Sequence, residues 1–227
     1  WEYQKKNDFM WWKKRLSHSR DIYDVTRIDH FRAFADYYEI PYGSPDARTG
    51  TWKKGIGMTF WDSIKRTLGH IEIIAEDLGV VSQEVIDLVK DTGFANMKVF
   101  QFGFSGDMSN PHLPQNYNSN CVCYTGTHDN DTTLGWFNSA PSAAQIMSTS
   151  LFPETKDFHL PYNFIKAAVD SKARLVIIPI QDYLSLGSDA RMNIPGVPKG
   201  NWSFRIAPDC LTDELALKIR QTTKSRN

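Results

Sequence analysis

The feature of the sequence that most constrains the fold is a series of short apolar runs, each of which ends in polar or charged residues. Five such runs lie at Asp24–Asp29, Ile71–Glu76, Met97–Phe102, Cys121–Thr125 and Arg174–Ile180. Runs of this length predict β-strands, and their nearly continuous apolar character is typical of strands that are covered on both faces. We therefore expect a parallel sheet.

Segments with helical spacing separate these runs. Near the N-terminus, Phe9, Trp12 and Leu16 recur at the spacing of one helix face. Further helices are predicted at Trp61–Leu68, Ser82–Lys90, Ser142–Leu151, Asn163–Val169 and Thr212–Arg220. We expect Ser82 to cap the second of these and Gly93 to end it. The alternation of strands and helices predicts one α/β domain built from βα units.

A doubly wound sheet and a barrel both fit this alternation, and two features favour the barrel. No G-x-G-x-x-G fingerprint follows any predicted strand. Acidic residues stand at the C-terminal ends of several strands, where barrel enzymes place their catalytic groups. A complete (β/α)8 barrel has about 250 residues and eight strands, and this chain opens within a helical pattern. We therefore expect residues 1–227 to be the C-terminal part of a catalytic (β/α)8 TIM-type barrel, about strands 4–8, without its N-terminal strands.

Composition excludes several classes of protein. The 227 residues are 41% hydrophobic and 23% charged, with a formal net charge of +0, so nucleic acid is not expected as the main partner. No apolar run approaches the roughly 18 residues that cross a bilayer, and no apolar signal core is visible. The three cysteines complete no metal site with histidine, so we expect no metal ligands and buried, reduced thiols in a cytoplasmic compartment.

Three predicted strands are followed by a carboxylate: Asp29, Glu76 and Asp129. Retaining glycoside chemistry needs two such groups, one that attacks the anomeric carbon and one that protonates the leaving oxygen. In a strand, Arg27 and Asp29 share a face, and the cation keeps Asp29 ionised as the nucleophile. Glu76 follows an apolar run that can keep it protonated, which suits a general acid/base.

Each of these residues also has a structural interpretation. Arg27 and Asp29 alone could be a surface ion pair, and an acidic strand end can simply cap the next helix, as Asp77 is expected to do. The third acid, which adjoins His128, favours the catalytic interpretation.

The acidic blocks, taken together, resemble a known family. The pattern on the fourth, fifth and seventh barrel strands of the α-amylase superfamily is similar to Arg27-x-Asp29, Glu76 and His128-Asp129. Longer blocks resemble those of the amylomaltases, the 4-α-glucanotransferases of glycoside hydrolase family seventy-seven. These blocks lie at Arg27–Arg32, Ile74–Gly79, Tyr124–Thr132 and Ser188–Gly196, and the resemblance covers essentially the whole chain.

The resemblance implies transfer of an α-1,4-glucan segment between maltooligosaccharides, or glucans derived from starch or glycogen, by double displacement with retention. It implies that Asp29 is the nucleophile, Glu76 the general acid/base and Asp129 a stabiliser of the oxocarbenium-like transition state. The residues implied to hold the carboxylates and the donor sugar are Arg27, His128 and Asn193. No metal or redox cofactor is implied, and the implied compartment is the cytoplasm, or a plastid in a plant.

Three further residues are candidate sugar contacts. A long aromatic loop is predicted between Asp29 and Trp61. Trp52 lies in a glycine-rich part of this loop and could stack on a pyranose or fold back to pin the loop. His30 could bind a sugar hydroxyl or simply end its strand. Phe102 could line the cleft or belong to the core.

Two other functions use the same residues. An α-glucan hydrolase would carry the same carboxylates and pass the glucosyl group to water. An inactive glucan-binding fragment would bind the chain without turnover.

Overall fold

The structure is a computed structural model that describes residues 1–153 and 159–224. The chain forms two compact units, Trp1–Met97 and Lys98–Asn227. Parallel strands connected through helices occur in both units, which confirms the α/β class.

The first unit contains helices α1 (Glu2–Lys6), α2 (Met10–Ile22), α3 (Met58–Leu68) and α4 (Gln83–Thr92). Its strands are β1 (Thr26–Ile28), β2 (Asp36–Glu39), β3 (Thr51–Lys54), β4 (Ile73–Ala75) and β5 (Ala95–Val99), the last of which continues into the second unit. Strand β4 is parallel to both β1 and β5, with Ile28 opposite Ala75 and Ile74 opposite Ala95. This register places the C-terminal ends of β1 and β4 side by side.

Strands β2 and β3 form an antiparallel hairpin in a segment that was predicted to be a loop. Tyr38 lies opposite Trp52, with ring centroids 5.3 Å apart, and such aromatic pairs stabilise two-stranded ribbons. A Cβ atom at Gly50 would lie 2.4 Å from Tyr38 Cε1, so this glycine permits the close packing. The loop prediction was wrong because the partner strand lies beyond a long connection.

An aromatic core fills the first unit. Phe60 and Trp61 of α3 are fully buried, and Phe9 packs edge-on against Phe60 at 5.2 Å. Asp8 and Phe9 adopt left-handed backbone conformations between α1 and α2, so the predicted N-terminal helix is interrupted there. The interruption turns Phe9 into the core, and the carboxylate of Asp8 accepts a hydrogen bond from Lys13 Nζ at 2.7 Å.

The second unit contains strands β6 (Cys121–Tyr124) and β7 (Leu175–Ile177), which are parallel, with Val122 opposite Leu175. Its helices are α5 (Thr133–Ser139), α6 (Ser142–Leu151), α7 (Leu160–Val169), α8 (Ile180–Tyr183) and α9 (Asp213–Thr223). Its core is centred on Phe164 of α7, whose ring stacks on Phe100 at 4.4 Å and on Phe104 at 5.1 Å.

The observed bounds confirm all five predicted strands, but four are shorter than predicted, and β5 (Ala95–Val99) is shifted toward the N-terminus from the predicted Met97–Phe102. The ends of β5 and β7 are each corrected by three residues, and β7 was predicted to continue to Ile180. The strand ends at Ile177, and Pro179 is the N-cap of α8. Proline fixes φ and favours the start of a helix, so the apolar run divides between two elements. The bounds of α6 agree with the prediction.

The two ends of α4 agree only in part with the predicted cap residues. Gly93 ends the helix with φ +73, as predicted. Ser82 is the N-cap residue, but its hydroxyl donates to Asp36 at 3.2 Å instead of accepting from the helix, so its predicted capping bond is absent. Asp77 is not a helix cap either, since its carboxylate accepts from the Met97 backbone N–H at 2.9 Å.

Within residues 1–153 and 159–224, no helix is long and apolar enough to cross a membrane. The same residues contain no group of three or more His, Cys, Asp or Glu side chains that could hold a metal ion. Cys121 and Cys123 carry buried thiols, and Cys210 carries a partly exposed one.

Candidate active site

Arg27 and Asp29 form an ion pair at the end of β1. Arg27 Nη2 lies 2.7 Å from Asp29 Oδ1, and Arg27 Nε lies 3.4 Å from Met97 Sδ. The Arg27 side chain is 30% exposed, whereas the Asp29 side chain is 78% exposed. An ion pair this accessible contributes little to stability, so its effect is to orient a carboxylate that faces solvent.

Glu76 directly follows β4 and is held by the backbone of the neighbouring strand end. Its N–H donates to the Ile28 carbonyl at 3.0 Å, and its carbonyl accepts from the Phe31 N–H at 2.9 Å. Its carboxylate accepts from the N–H groups of His30 at 2.6 Å and Leu78 at 3.1 Å. The buried strand β4 leads up to Glu76 as expected, but backbone donors rather than apolar side chains contact the carboxylate.

His30 connects the two acidic residues through its main chain. Its backbone is left-handed, with φ 48 and ψ 48, and this turn after Asp29 directs the His30 N–H at Glu76. The imidazole itself is exposed. The first unit therefore brings Arg27, Asp29, His30 and Glu76 together at adjacent ends of β1 and β4.

Asp129 lies on the loop between β6 and α5, in the second unit. Asn193 Nδ2 donates to Asp129 Oδ1 at 2.6 Å, and His128 Nε2 lies 3.5 Å from the same oxygen. The Asn193 N–H also donates to the His128 carbonyl at 3.0 Å. The second unit therefore brings His128, Asp129 and Asn193 together.

Residues that sequence reasoning did not assign complete this second cluster. Arg191 Nη2 donates to the Asp129 carbonyl at 2.6 Å, and Arg191 Nε donates to the Asn193 carbonyl at 2.9 Å. The Trp202 ring lies 5.2 Å from the His128 ring at 33°. Arg191 lies inside the block Ser188–Gly196 that carries the family resemblance. Its place in this block was the sequence feature that could have identified it.

Trp52 does not lie on a flexible loop. It is part of β3, where it packs edge-on against Tyr38 and lies under the Arg32 guanidinium, whose Cζ is 4.4 Å from the ring centroid. Trp52 remains 57% exposed, so one side of the indole is available for contact.

Phe102 lies in the 3₁₀ turn Phe100–Gly103 after β5. It is 44% exposed and contacts the His112 ring edge-on at 5.6 Å, so it is not a core residue. His112 is itself half-buried, and its Nδ1 accepts from the Val99 N–H at 3.1 Å. Burial, together with the charge of Lys98, lowers the pKa of His112 to about 4.

The chain is similar to known proteins over most of its length. A family model described as 4-alpha-glucanotransferase matches residues 1–212. The chain is 44% identical to the 4-alpha-glucanotransferase of Clostridium butyricum over 99% of its own length, and 43% identical to the chloroplastic/amyloplastic enzyme of Solanum tuberosum over 97%. It spans 46% and 38% of those relatives, so it corresponds to less than half of their length.

A solved structure is similar over the whole chain. It is the amylomaltase from Streptococcus agalactiae in complex with acarbose, with a TM-score of 0.96 and 32% sequence identity. The similarity covers 100% of this chain and 46% of that one. The resemblance expected from the sequence is thus confirmed, and the chain belongs to the 4-alpha-glucanotransferase family, glycoside hydrolase family 77.

Proposed function

We propose that this protein transfers α-1,4-glucan segments between maltooligosaccharides, or glucans derived from starch or glycogen, and that residues 1–227 supply about strands 4–8 of its (β/α)8 barrel. One observation carries the proposal: Arg27 orients Asp29, and the next residue along the chain donates its N–H to Glu76. Two carboxylates on adjacent strand ends are the arrangement that retaining glycoside chemistry needs.

In the first step, an oxygen of Asp29 attacks the anomeric carbon while the glycosidic C–O bond breaks. Glu76 donates its proton to the leaving glucan oxygen, which departs as a free 4-hydroxyl. The product is a glucosyl ester of Asp29, formed with inversion at the anomeric carbon.

In the second step, the Glu76 carboxylate removes the proton of an acceptor 4-hydroxyl. The acceptor oxygen attacks the anomeric carbon, and the ester bond to Asp29 breaks. The second inversion restores the original configuration. We expect the carboxyl groups of Asp29 and Glu76 to lie about 5–5.5 Å apart during this chemistry.

The remaining residues act on the sugar that carries the developing charge. Asp129 stabilises the oxocarbenium-like transition state through sugar hydroxyls, with its carboxylate fixed by Asn193. His128 and Arg27 hold the donor sugar and the nucleophile. Trp52, Phe102 and the His30 imidazole are exposed side chains that we assign to contacts with the glucan.

The α-glucan is proposed as substrate because the similar Streptococcus agalactiae amylomaltase is in complex with acarbose. The curated relatives include a bacterial enzyme and a chloroplastic/amyloplastic one, which supports a cytoplasmic location, or a plastid in a plant.

The test is the product pattern from maltotriose, measured by chromatography with the full-length protein that carries this chain. A transferase forms glucose together with maltopentaose and longer chains, with no net gain in reducing ends. Glucose and maltose with rising reducing ends would show a hydrolase instead. Retention of maltotriose without turnover would show a glucan-binding protein, and either result would overturn the proposal.

A further inference from the structure

Asp182 is a buried acidic residue with no place in the proposed mechanism. It lies on α8 in the second unit and is 2% exposed. Its Oδ2 accepts from the hydroxyls of Thr125 at 2.5 Å and Thr133 at 2.9 Å, and its Oδ1 accepts from the Thr133 N–H at 2.8 Å.

These three bonds reach both ends of the loop that carries Asp129. Thr125 directly follows β6, and Thr133 is the first residue of α5. One carboxylate therefore fixes the residue where the loop leaves the sheet and the residue where it enters the helix. Both threonines are fully buried, so water does not compete for these bonds.

Between these ends, the loop is stabilised by its own bonds. Asn130 Oδ1 accepts from the N–H of Thr127 at 2.9 Å and from its hydroxyl at 2.8 Å. The Asn130 N–H donates back to the Thr127 carbonyl at 3.1 Å. His128 and Asp129 lie inside this closed turn. A shift at either end of the loop would therefore move the turn, and Asp129 with it.

A carboxylate at this position has both a cost and a use. Burial raises the pKa of Asp182, which reflects the cost of a charge away from water. An apolar residue of similar size would avoid that cost, but it would leave the buried Thr133 N–H and both threonine hydroxyls without this acceptor. It would also leave the two ends of the loop without a common anchor.

We propose that Asp182 is a positioning residue for Asp129: by holding both ends of the loop between β6 and α5, it fixes where the Asp129 carboxylate meets the sugar. Asn193 and Arg191 contact Asp129 directly, whereas Asp182 acts one step further away, through the backbone. The inference rests on the proposed function, because it assigns Asp182 an effect on that reaction.

The experiment compares Asp182→Leu, Asp182→Asn and Thr133→Val in the full-length protein. Leucine removes all three bonds, whereas asparagine keeps an acceptor for the Thr133 N–H and an amide that the hydroxyls can accept from. Thr133→Val removes one hydroxyl with little change in shape. Thr222→Val is the matched control, because Thr222 is a buried threonine of the same unit whose hydroxyl hydrogen-bonds Tyr162.

We expect Asp182→Leu to lower kcat about 10- to 100-fold with less than a threefold change in KM, and Asp182→Asn to recover most of the rate. Thr133→Val should lower kcat about fivefold, and Thr222→Val should match the wild type. If the leucine variant does not fold, Thr133→Val decides the question. A kcat for Thr133→Val equal to that of Thr222→Val would overturn the proposal.

A double-mutant cycle with Asp129→Asn separates positioning from a purely structural role. Rates are measured on an activated glycosyl fluoride donor, so that slow variants remain measurable. If Asp182 acts through Asp129, Thr133→Val should cost less than twofold once Asp129 is replaced. An equal cost in both backgrounds would overturn the proposal. Absence of transfer by the wild type would instead refute the proposed function.

Discussion

In the first unit the Glu76 carboxylate is held by main-chain N–H groups, whereas in the second unit the Asp129 carboxylate is held by a side chain from a distant part of the chain. Glu76 exchanges backbone hydrogen bonds with Ile28 and Phe31, which follow from the parallel register of β1 and β4. Asp129 instead depends on Asn193, which lies 64 residues further along. We therefore expect substitutions of the residues that contact Asp129 to lower kcat more than comparable substitutions of the residues that contact Glu76.

The largest effect should come from the acidic residues of the first unit themselves. Asp29→Asn removes the proposed nucleophile, and we expect kcat for maltotriose transfer to fall at least about 10³-fold. Since Asp29 is exposed and the register does not depend on its charge, the melting temperature should be nearly unchanged. Kinetics and thermal unfolding of the same sample check both statements.

Asp24→Asn is the matched control, because Asp24 is an exposed aspartate just before β1. It should retain full activity. An Asp29→Asn variant with more than a tenth of the wild-type rate would exclude Asp29 as the nucleophile.

Asn193→Ala tests the side-chain support in the second unit. It removes the bond to the Asp129 carboxylate, and hydrogen bonds to charged groups are worth about 1.5–3 kcal/mol, or roughly 10- to 100-fold in rate. We expect the loss in kcat rather than in KM. Asn138→Ala, at an exposed position of α5, is the control. A fall in kcat no larger than that of the control would mean that Asp129 does not depend on Asn193. It would contradict the difference expected between the two units.

Arg191→Lys should have a smaller effect on the same cluster. The guanidinium donates to two backbone carbonyls at once, and a lysine ammonium on a flexible stem does not reproduce that fork. We expect roughly a 3- to 10-fold fall in kcat, because lysine can keep only one of the two hydrogen bonds to the backbone carbonyls. Arg220→Lys, at an exposed position of α9, should have no effect. Full activity of Arg191→Lys would show that one of the two bonds is enough.

The smallest effect on kcat is expected at His112. Substitution there should instead change the pH dependence of stability. Its pKa is lowered to about 4 by burial, from about 6.5. The unfolded chain therefore binds a proton that the folded chain does not, and stability falls as the pH decreases from 6.5 to 4. At pH 5 the loss is at most about 2 kcal/mol.

His112→Asn keeps an acceptor for the Val99 N–H and should remove this pH dependence, as measured by urea unfolding at pH 7 and pH 5. His18→Asn, at an exposed position of α2, should not remove it. An unchanged slope in the His112 variant would assign the acid sensitivity to other groups.

The local sequence pattern predicted most helices and strands. It failed where contacts between distant residues determine the structure. Helix α6 was predicted at its observed bounds because its apolar spacing and flanking Pro141 are local features. The hairpin of β2 and β3 was missed because Tyr38 and Trp52 meet across a long connection. The end of β7 was predicted too late because the sequence is apolar on both sides of Pro179.

The candidate site shows the same limit. The proximity of Asp29 and Glu76 could be predicted because parallel strands end at one edge of a sheet, which the order of elements already predicts. The contacts of Arg191 and Asp182 could not be predicted, because they join the loop between β6 and α5, more than 40 residues earlier. Acidic and basic residues of this kind are indistinguishable in sequence from ordinary surface charges.

The left-handed turn at His30 has a consequence for engineering. The main chain at this position serves Glu76, while the side chain faces solvent, so the two can be varied separately. Glycine and asparagine adopt this backbone readily, whereas β-branched residues do not. A library restricted to glycine, asparagine and aspartate at position 30 should therefore change the exposed side chain next to Asp29 and keep the backbone hydrogen bond to Glu76.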